Sequence, residues 1–129
     1  GASTTGCYNV AIGKSALGSQ NAGATAYNVA VGYHAGYAVT TGIKNVSVGA
    51  WSLRYNTTGD NNTFVGYDAG SDQTTASGNN FIGYKTGHGV STGGSNNAVG
   101  NDALSGLTTG YYNNAFGSSS TVSKALQRK

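Results

Sequence analysis

Apolar residues recur along this chain inside a five-residue frame that begins with asparagine and ends with glycine. In the copy at 62–66, Asn-Thr-Phe-Val-Gly, the residue before the glycine is large and apolar. Seven copies occur, at 9–13, 28–32, 45–49, 62–66, 79–83, 96–100 and 113–117. From Gly32 onward the closing glycines recur at one constant interval, and only the first interval, which begins at Gly13, is longer. A near-fixed period of this kind predicts a solenoid in which each repeat forms one coil.

The frame predicts a short β-strand rather than a helical turn. Its β-branched residues favour strands, and each of the 22 glycines would cost about 1 kcal/mol inside a helix. We therefore predict an all-β protein, a parallel β-solenoid that spans residues 4–117 and consists of seven coils of about 17 residues each.

The large residues directly before the glycines are the predicted core of each coil. This row comprises Ile12, Val31, Val48, Val65, Ile82, Val99 and Phe116. Alternate residues of a strand point to opposite faces, so the preceding row, which contains Phe64 and Phe81, would lie exposed in a single thin coil. Burial of that second face against other copies predicts a homotrimer, either intertwined or side by side. Val65→Asp should cost several kcal/mol, because an unpaired charge would enter the core.

The asparagine that opens each frame is the most regular polar position of the repeat. The row consists of Asn9, Asn28, Asn45, Asn62, Asn79, Asn96 and Asn113. Stacked at the strand spacing of ~4.8 Å, identical amides can bond to one another as a ladder. Asparagine also tolerates the left-handed conformation of a turn, so a corner position is the alternative. Threonine pairs such as Thr57-Thr58 predict another corner, with hydroxyls that cap turn backbone.

The repeat pattern is absent at both ends of the chain. We expect residues 1–3 to be a cloning remnant, residues 118–129 to be a linker and the start of a helical stalk, and the whole to be a piece of a longer protein. Lys124, Arg128 and Lys129 account for the net charge of +3, so the repeats are neutral and lack the basic footprint of a nucleic-acid-binding protein. The sequence has no apolar run long enough to predict membrane insertion.

The sequence has no constellation typical of an enzyme. His34 and His88 occupy different positions of the repeat. Asp68 and Asp102 share a position but lie two coils apart, about 10 Å, which is wide for carboxylates that share a proton or a metal ion. We predict a non-catalytic protein without a cofactor or a metal site.

The residues just after each glycine vary and include several aromatic side chains. Tyr33, His34, Trp51, Tyr67 and Tyr84 are the candidate ligand-binding residues, because fixed offsets in a solenoid line one surface stripe. Aromatic rings with a polar edge suit contact with carbohydrate or protein. The alternative is that the tyrosines cover gaps between coils or between protomers.

The repeat at 57–70, Thr-Thr-Gly-Asp-Asn-Asn-Thr-Phe-Val-Gly-Tyr-Asp-Ala-Gly, resembles the repeats of phage tail fibres and related viral attachment proteins. Asn-Val-Ala-Ile-Gly at 9–13 and Asn-Val-Ala-Val-Gly at 28–32 also resemble the head repeats of trimeric autotransporter adhesins. Those heads are left-handed parallel β-rolls that are wound as trimers and bind host surfaces. The resemblance implies a segment of a viral or phage attachment fibre on the virion surface, which presents a surface to host-cell glycan or protein. The alternative that it implies is an adhesin head on a bacterial cell surface.

An ice-binding solenoid is a further alternative. Low charge and threonine ladders favour a flat face that orders water. Consecutive threonines point to opposite sides of a strand, however, and an ice face normally needs alternate threonines on one side.

Overall fold

The computed structural model describes residues 8–21 and 25–121, which fold as a parallel β-solenoid. Each coil contributes one short strand. The strands are β1 (Val10–Ile12), β2 (Val29–Val31), β3 (Val46–Val48), β4 (Thr63–Val65), β5 (Asn80–Ile82), β6 (Asn97–Val99) and β7 (Asn114–Phe116). They form one sheet in chain order, and every neighbouring pair is parallel. The predicted fold class is confirmed, and each strand ends directly before a closing glycine.

The register is constant along the whole stack. Val48 pairs with Val65, one repeat further on, and the same offset holds from β2 to β7. Val10 pairs with Val29 in the equivalent way, so the greater length of the first repeat leaves the register unchanged. The extra residues belong to the connection at 20–27, of which 22–24 lie outside the described residues. The predicted cloning remnant and the predicted stalk helix at 122–129 also lie outside them.

The prediction of which row is buried is wrong. The middle residue of each strand faces the interior, and Phe64 and Phe81 are both 0% exposed. The row before the glycines lies on the outside, where Ile12 is 60% and Phe116 67% exposed. The sheet closes one side of a narrow coil, so the single inward position of each short strand becomes core and the residues on either side of it point outward. Val65→Asp would therefore place its charge at the surface of a single chain.

Side chains across the coil fill the interior according to the size of the strand residue. A Cβ on Gly70 would collide with the ring of Phe64, and one on Gly87 would collide with the ring of Phe81. The two rings stack with centroids 4.9 Å apart and planes 7° from parallel. The coil with the small residue Ser47 in its strand instead carries the buried Leu53 at the facing position. In these coils a large side chain on one side of the interior faces a small residue on the other side.

The asparagines form a buried ladder along one edge of the interior. The backbone N–H of each asparagine from Asn28 to Asn113 donates to Oδ1 of the asparagine one coil earlier, at 2.8–3.0 Å. The side-chain N–H of Asn45 donates to the Gly59 carbonyl at 2.8 Å, and later coils repeat this bond. The left-handed φ falls on the residue before each asparagine, for example Asn61 at 59°. The ladder therefore joins the coils to one another, and the preceding residue turns the corner.

Candidate binding surfaces

Four aromatic side chains form a continuous row on the outside of coils two to five. We call Tyr33, Trp51, Tyr67 and Tyr84 the aromatic ridge. Ring centroids are 6.4 Å apart from Tyr33 to Trp51, 5.3 Å from Trp51 to Tyr67, and 5.7 Å from Tyr67 to Tyr84. Each tyrosine follows a closing glycine, and the coil with Ala50 at that position uses the next residue, Trp51, to occupy the row. The structure therefore brings these four predicted residues together.

The rings of the ridge lie against one another rather than facing outward. Tyr67 and Tyr84 are 12° from parallel, so each covers a face of the other. Trp51 is tilted by 56° from Tyr33 and by 51° from Tyr67. The three tyrosines remain exposed. A ligand therefore meets mainly ring edges and hydroxyl groups, together with the tilted indole.

His34, the fifth predicted residue, lies at one end of the ridge. Its ring stacks between Tyr33, at 4.1 Å and 20°, and Tyr37, at 4.7 Å and 14°. Its Nδ1 is buried and has no hydrogen-bond partner among the described residues. His34 therefore extends the ridge toward the neighbouring corner.

Sequence reasoning missed the cation beside the ridge. The guanidinium carbon of Arg54 lies 5.3 Å from the centroid of the Trp51 ring and 4.8 Å from that of Tyr55. Trp51 and Arg54 belong to the same tight corner, in which Leu53 turns inward with a left-handed φ of 52°. The signal available in the sequence was the short spacing of Trp51-Ser-Leu-Arg54-Tyr55.

Charged groups make few contacts with one another. Within the described part of the chain one contact joins a basic and an acidic side chain, between His88 Nε2 and Asp72 Oδ2 at 3.4 Å. The same oxygen of Asp72 accepts the backbone N–H of Gly89 at 2.9 Å. No group of three His, Cys, Asp or Glu side chains at 8–21 and 25–121 is arranged to hold a metal ion. Helices long and apolar enough to cross a membrane are likewise absent from these ranges.

The outer face of the sheet is a second exposed surface, and its two halves differ. We use the term outer face for the first and third residues of the strands. In β1 to β3 all of these residues are aliphatic: Val10, Ile12, Val29, Val31, Val46 and Val48. From β5 onward the first residue is asparagine, and the third is Ile82, Val99 or Phe116.

Asparagine side chains on the polar half of the outer face bond to one another along the stack. The amide of Asn80 donates to Oδ1 of Asn97 at 2.8 Å, and that of Asn97 donates to Asn114 at 3.0 Å. This second ladder is solvent-exposed, in contrast to the buried one. The outer face thus changes from aliphatic to mixed along the axis.

The two residues of each threonine pair have different contacts. The hydroxyl of Thr40 donates to the carbonyl of Thr57 at 3.0 Å, and that of Thr57 donates to the carbonyl of Thr74 at 3.0 Å. The second threonine of each pair is exposed, as at Thr58 and Thr75. The first hydroxyl therefore joins neighbouring coils.

Comparison of the chain with protein-family models, with curated proteins and with solved structures gave no match. The function is therefore inferred from the geometry of this chain and from the residues of its repeat.

Proposed function

We propose that this chain is a non-catalytic segment of a viral or phage attachment fibre, and that it acts as a homotrimer. The observation that carries the proposal is the row of exposed apolar side chains on the outer face. Val10, Ile12, Ile82, Val99 and Phe116 are all exposed in the single chain, on strands of one sheet.

The outer face runs along the whole stack of strands. Seven strands at ~4.8 Å cover about 30 Å along the axis, and strand residues at ~3.3 Å each cover about 10 Å across it. The largest apolar patch on a soluble monomer commonly measures a few hundred Å² and is often functional. A parallel trimer lets the three identical faces cover one another, and this arrangement agrees with the fibre resemblance of the repeats.

The polar half of the outer face suits such a trimer as a specificity element. Asn80, Asn97 and Asn114 form one row beside the aliphatic row of Ile82 and Val99. If one protomer slipped along the axis, the amides at the change from valine to asparagine would face aliphatic side chains. Such mismatches penalise wrong pairings, so the change in composition would fix the axial register.

In this proposal the aromatic ridge is the receptor-binding surface, and a host-cell glycan is the ligand. A trimer would present three ridges on one rod, and linked sites convert weak single contacts into strong attachment. The fibre would lie on the virion surface. The adhesin-head alternative uses the same geometry and is favoured by the frames of β1 and β2.

Molar mass in solution tests the assembly directly. Light scattering after size exclusion should give three times the single-chain mass of 12.9 kDa. Val65→Asp places a charge on the outer face and should yield monomers that retain the β-sheet circular dichroism signal. Thr58→Asp adds the same charge at an exposed corner and should remain trimeric. A monomeric parent chain at tens of micromolar, or a trimeric Val65→Asp variant, would refute the assembly.

A glycan array tests the role of the ridge. The parent chain should bind at least one class of host glycan, and Trp51→Ala combined with Tyr67→Ala should abolish that binding. If the double variant binds normally, the receptor site lies elsewhere on the rod.

A further inference from the structure

The guanidinium of Arg54 is held by aromatic rings rather than by an acidic partner. It lies between Trp51 and Tyr55, at 5.3 and 4.8 Å from the ring centroids. Among the described residues, no hydrogen bond or ion pair occupies it, and its Nε is buried without a partner. Its terminal nitrogens are not fully buried. Because arginine stays charged at every physiological pH, the corner carries a fixed positive charge with free donors.

The acids of the neighbouring coils do not neutralise this charge by direct contact. Asp72 is occupied by His88, at 3.4 Å, and by the backbone N–H of Gly89, at 2.9 Å. Asp68, at the corner of the next coil, forms no ion pair within the described ranges. A guanidinium prefers two parallel bonds to a carboxylate, and the described part of the chain supplies no such partner here.

A second unpaired donor lies beside Arg54. The indole Nε1 of Trp51 is buried and has no hydrogen-bond partner in the described part of the chain. A buried donor without a partner destabilises the unbound protein, and a ligand oxygen that reaches it after a small movement of the ring removes that cost. The two donors belong to one corner and are close together in the sequence.

Stacking within the ridge limits what a neutral sugar could gain there. Tyr67 and Tyr84 already cover each other's faces, and Trp51 is the tilted ring among them. A ligand that is bound mainly by face stacking would find one indole, whereas a ligand with a negative group would also find Arg54.

We propose that the corner formed by Trp51, Arg54 and Tyr55 binds the carboxylate or sulfate group of an acidic saccharide. Arg54 donates to the anionic oxygens, and the sugar ring lies against Trp51. This inference rests on the proposed function, since it names the ligand class of the same ridge.

Three saccharides of different charge test the inference. Binding of the parent chain is measured to an oligogalacturonate, which carries carboxylates, to a heparin oligosaccharide, which carries sulfates, and to a neutral dextran oligosaccharide. At least one acidic probe should bind about tenfold or more tightly than dextran, since hydrogen bonds to charged groups are the strong ones. Its affinity should fall as salt is raised from low to high concentration. Whichever of the two acidic probes binds more tightly identifies the anionic group.

Substitutions of single cationic residues distinguish a specific contribution of Arg54 to binding from the effect of the overall positive charge. Arg54→Gln should weaken binding of the acidic probe by about tenfold or more and leave dextran binding unchanged. Arg54→Lys keeps the charge but loses the planar fork, so an intermediate loss is expected. Lys44→Gln removes one charge from an exposed position that is not part of the ridge or the Arg54 corner, and it should bind like the parent. Circular dichroism and molar mass establish that each variant is folded. If Arg54→Gln does not fold, the binding of Arg54→Lys decides the question.

Three results would overturn the inference. The first is equal binding of dextran and the acidic probes. The second is unchanged binding of the acidic probe by both Arg54 variants. The third is a loss of binding in Lys44→Gln as large as the loss in Arg54→Gln. Failure of every saccharide to bind the parent chain would also overturn it, while the molar mass measurement would still decide the trimer independently. If the parent chain bound only neutral glycans on the array, and the Trp51→Ala and Tyr67→Ala double variant lost that binding, the proposed function would stand and this inference would be refuted.

Discussion

Neighbouring residues of one strand differ sharply in solvent exposure when one faces the interior and the other faces outward. Phe81 is 0% exposed, whereas Ile82, the next residue, is 44% exposed. The two side chains have similar apolar character but lie on opposite sides of the sheet. The comparison shows that the direction in which a side chain points, rather than its hydrophobicity, decides what enters the narrow coil.

Truncation of adjacent residues should give the largest contrast. Phe81→Ala removes a buried ring stacked on Phe64 and should lower the free energy of unfolding by about 3–5 kcal/mol. Ile82→Ala removes exposed surface of a single chain and should cost under about 1 kcal/mol there. Urea unfolding measures both values.

Protein concentration separates the two effects further. The loss in Phe81→Ala should be independent of concentration, because the ring is already buried within a single chain. The loss in Ile82→Ala should grow with concentration, because the outer face is the proposed trimer contact. Equal losses at all concentrations would contradict the assignment of the two rows.

The two asparagine ladders offer a polar version of the same comparison. Asn96 donates to Gly110 O at 2.8 Å and accepts the backbone N–H of Asn113 at 3.0 Å. Asn96→Ala leaves both buried groups unpaired and should cost about 2–6 kcal/mol, at ~1–3 kcal/mol for each. Asn97→Ala removes exposed bonds and should cost under about 0.5 kcal/mol in a single chain. Thermal and urea unfolding check the ranking, and a similar cost for both would refute a special role for the buried ladder.

The pairing of phenylalanine with glycine across the coil should appear as energetic coupling. Gly70→Ala places a Cβ against the Phe64 ring at a left-handed φ of 58° and should cost about 1–3 kcal/mol. In a Phe64→Ala background only the backbone strain remains, so the same change should cost less, with a coupling energy of about 1–2 kcal/mol.

Gly106→Ala is the matched control for this coupling. Gly106 has a φ of 78° and no heavy atom within 4 Å of an added Cβ. Its substitution should carry only the conformational cost, independent of Phe64. Additive losses of Gly70→Ala and Phe64→Ala would contradict the packing described here.

The fold could be predicted from the sequence because the repeat itself encodes it. A constant spacing of Asn45, Gly49, Asn62 and Gly66 places identical groups above one another, and only a stack satisfies all of them. The burial of the rows could not be predicted from hydrophobicity, because Val65 is more apolar than Ala98 or Ser47 and yet lies outside. The middle residues of the strands and the residues before the glycines are both compatible with a strand. Which of the two rows faces the interior depends on the width of the coil.

One signal for the correct row is nevertheless present in the sequence. Position 70 is glycine where position 64 is phenylalanine, and position 53 is leucine where position 47 is serine. In these coils the exchange of volume indicates that the middle residue of the strand faces a position further along the same coil. For the contact of Arg54 with Trp51 and Tyr55 the sequence offers only the short spacing of the three residues, and the contact itself depends on how the left-handed corner directs their side chains.

The unchanged register between β1 and β2 has a consequence for how such a rod can evolve. The first repeat tolerates a longer connection, while its strand and asparagine contacts stay in place. Duplication of one repeat unit would therefore lengthen the rod by a fixed step of ~4.8 Å, without redesign of any neighbouring coil. The number of repeats therefore sets the length of the rod, and the residues of each coil set its surface chemistry independently.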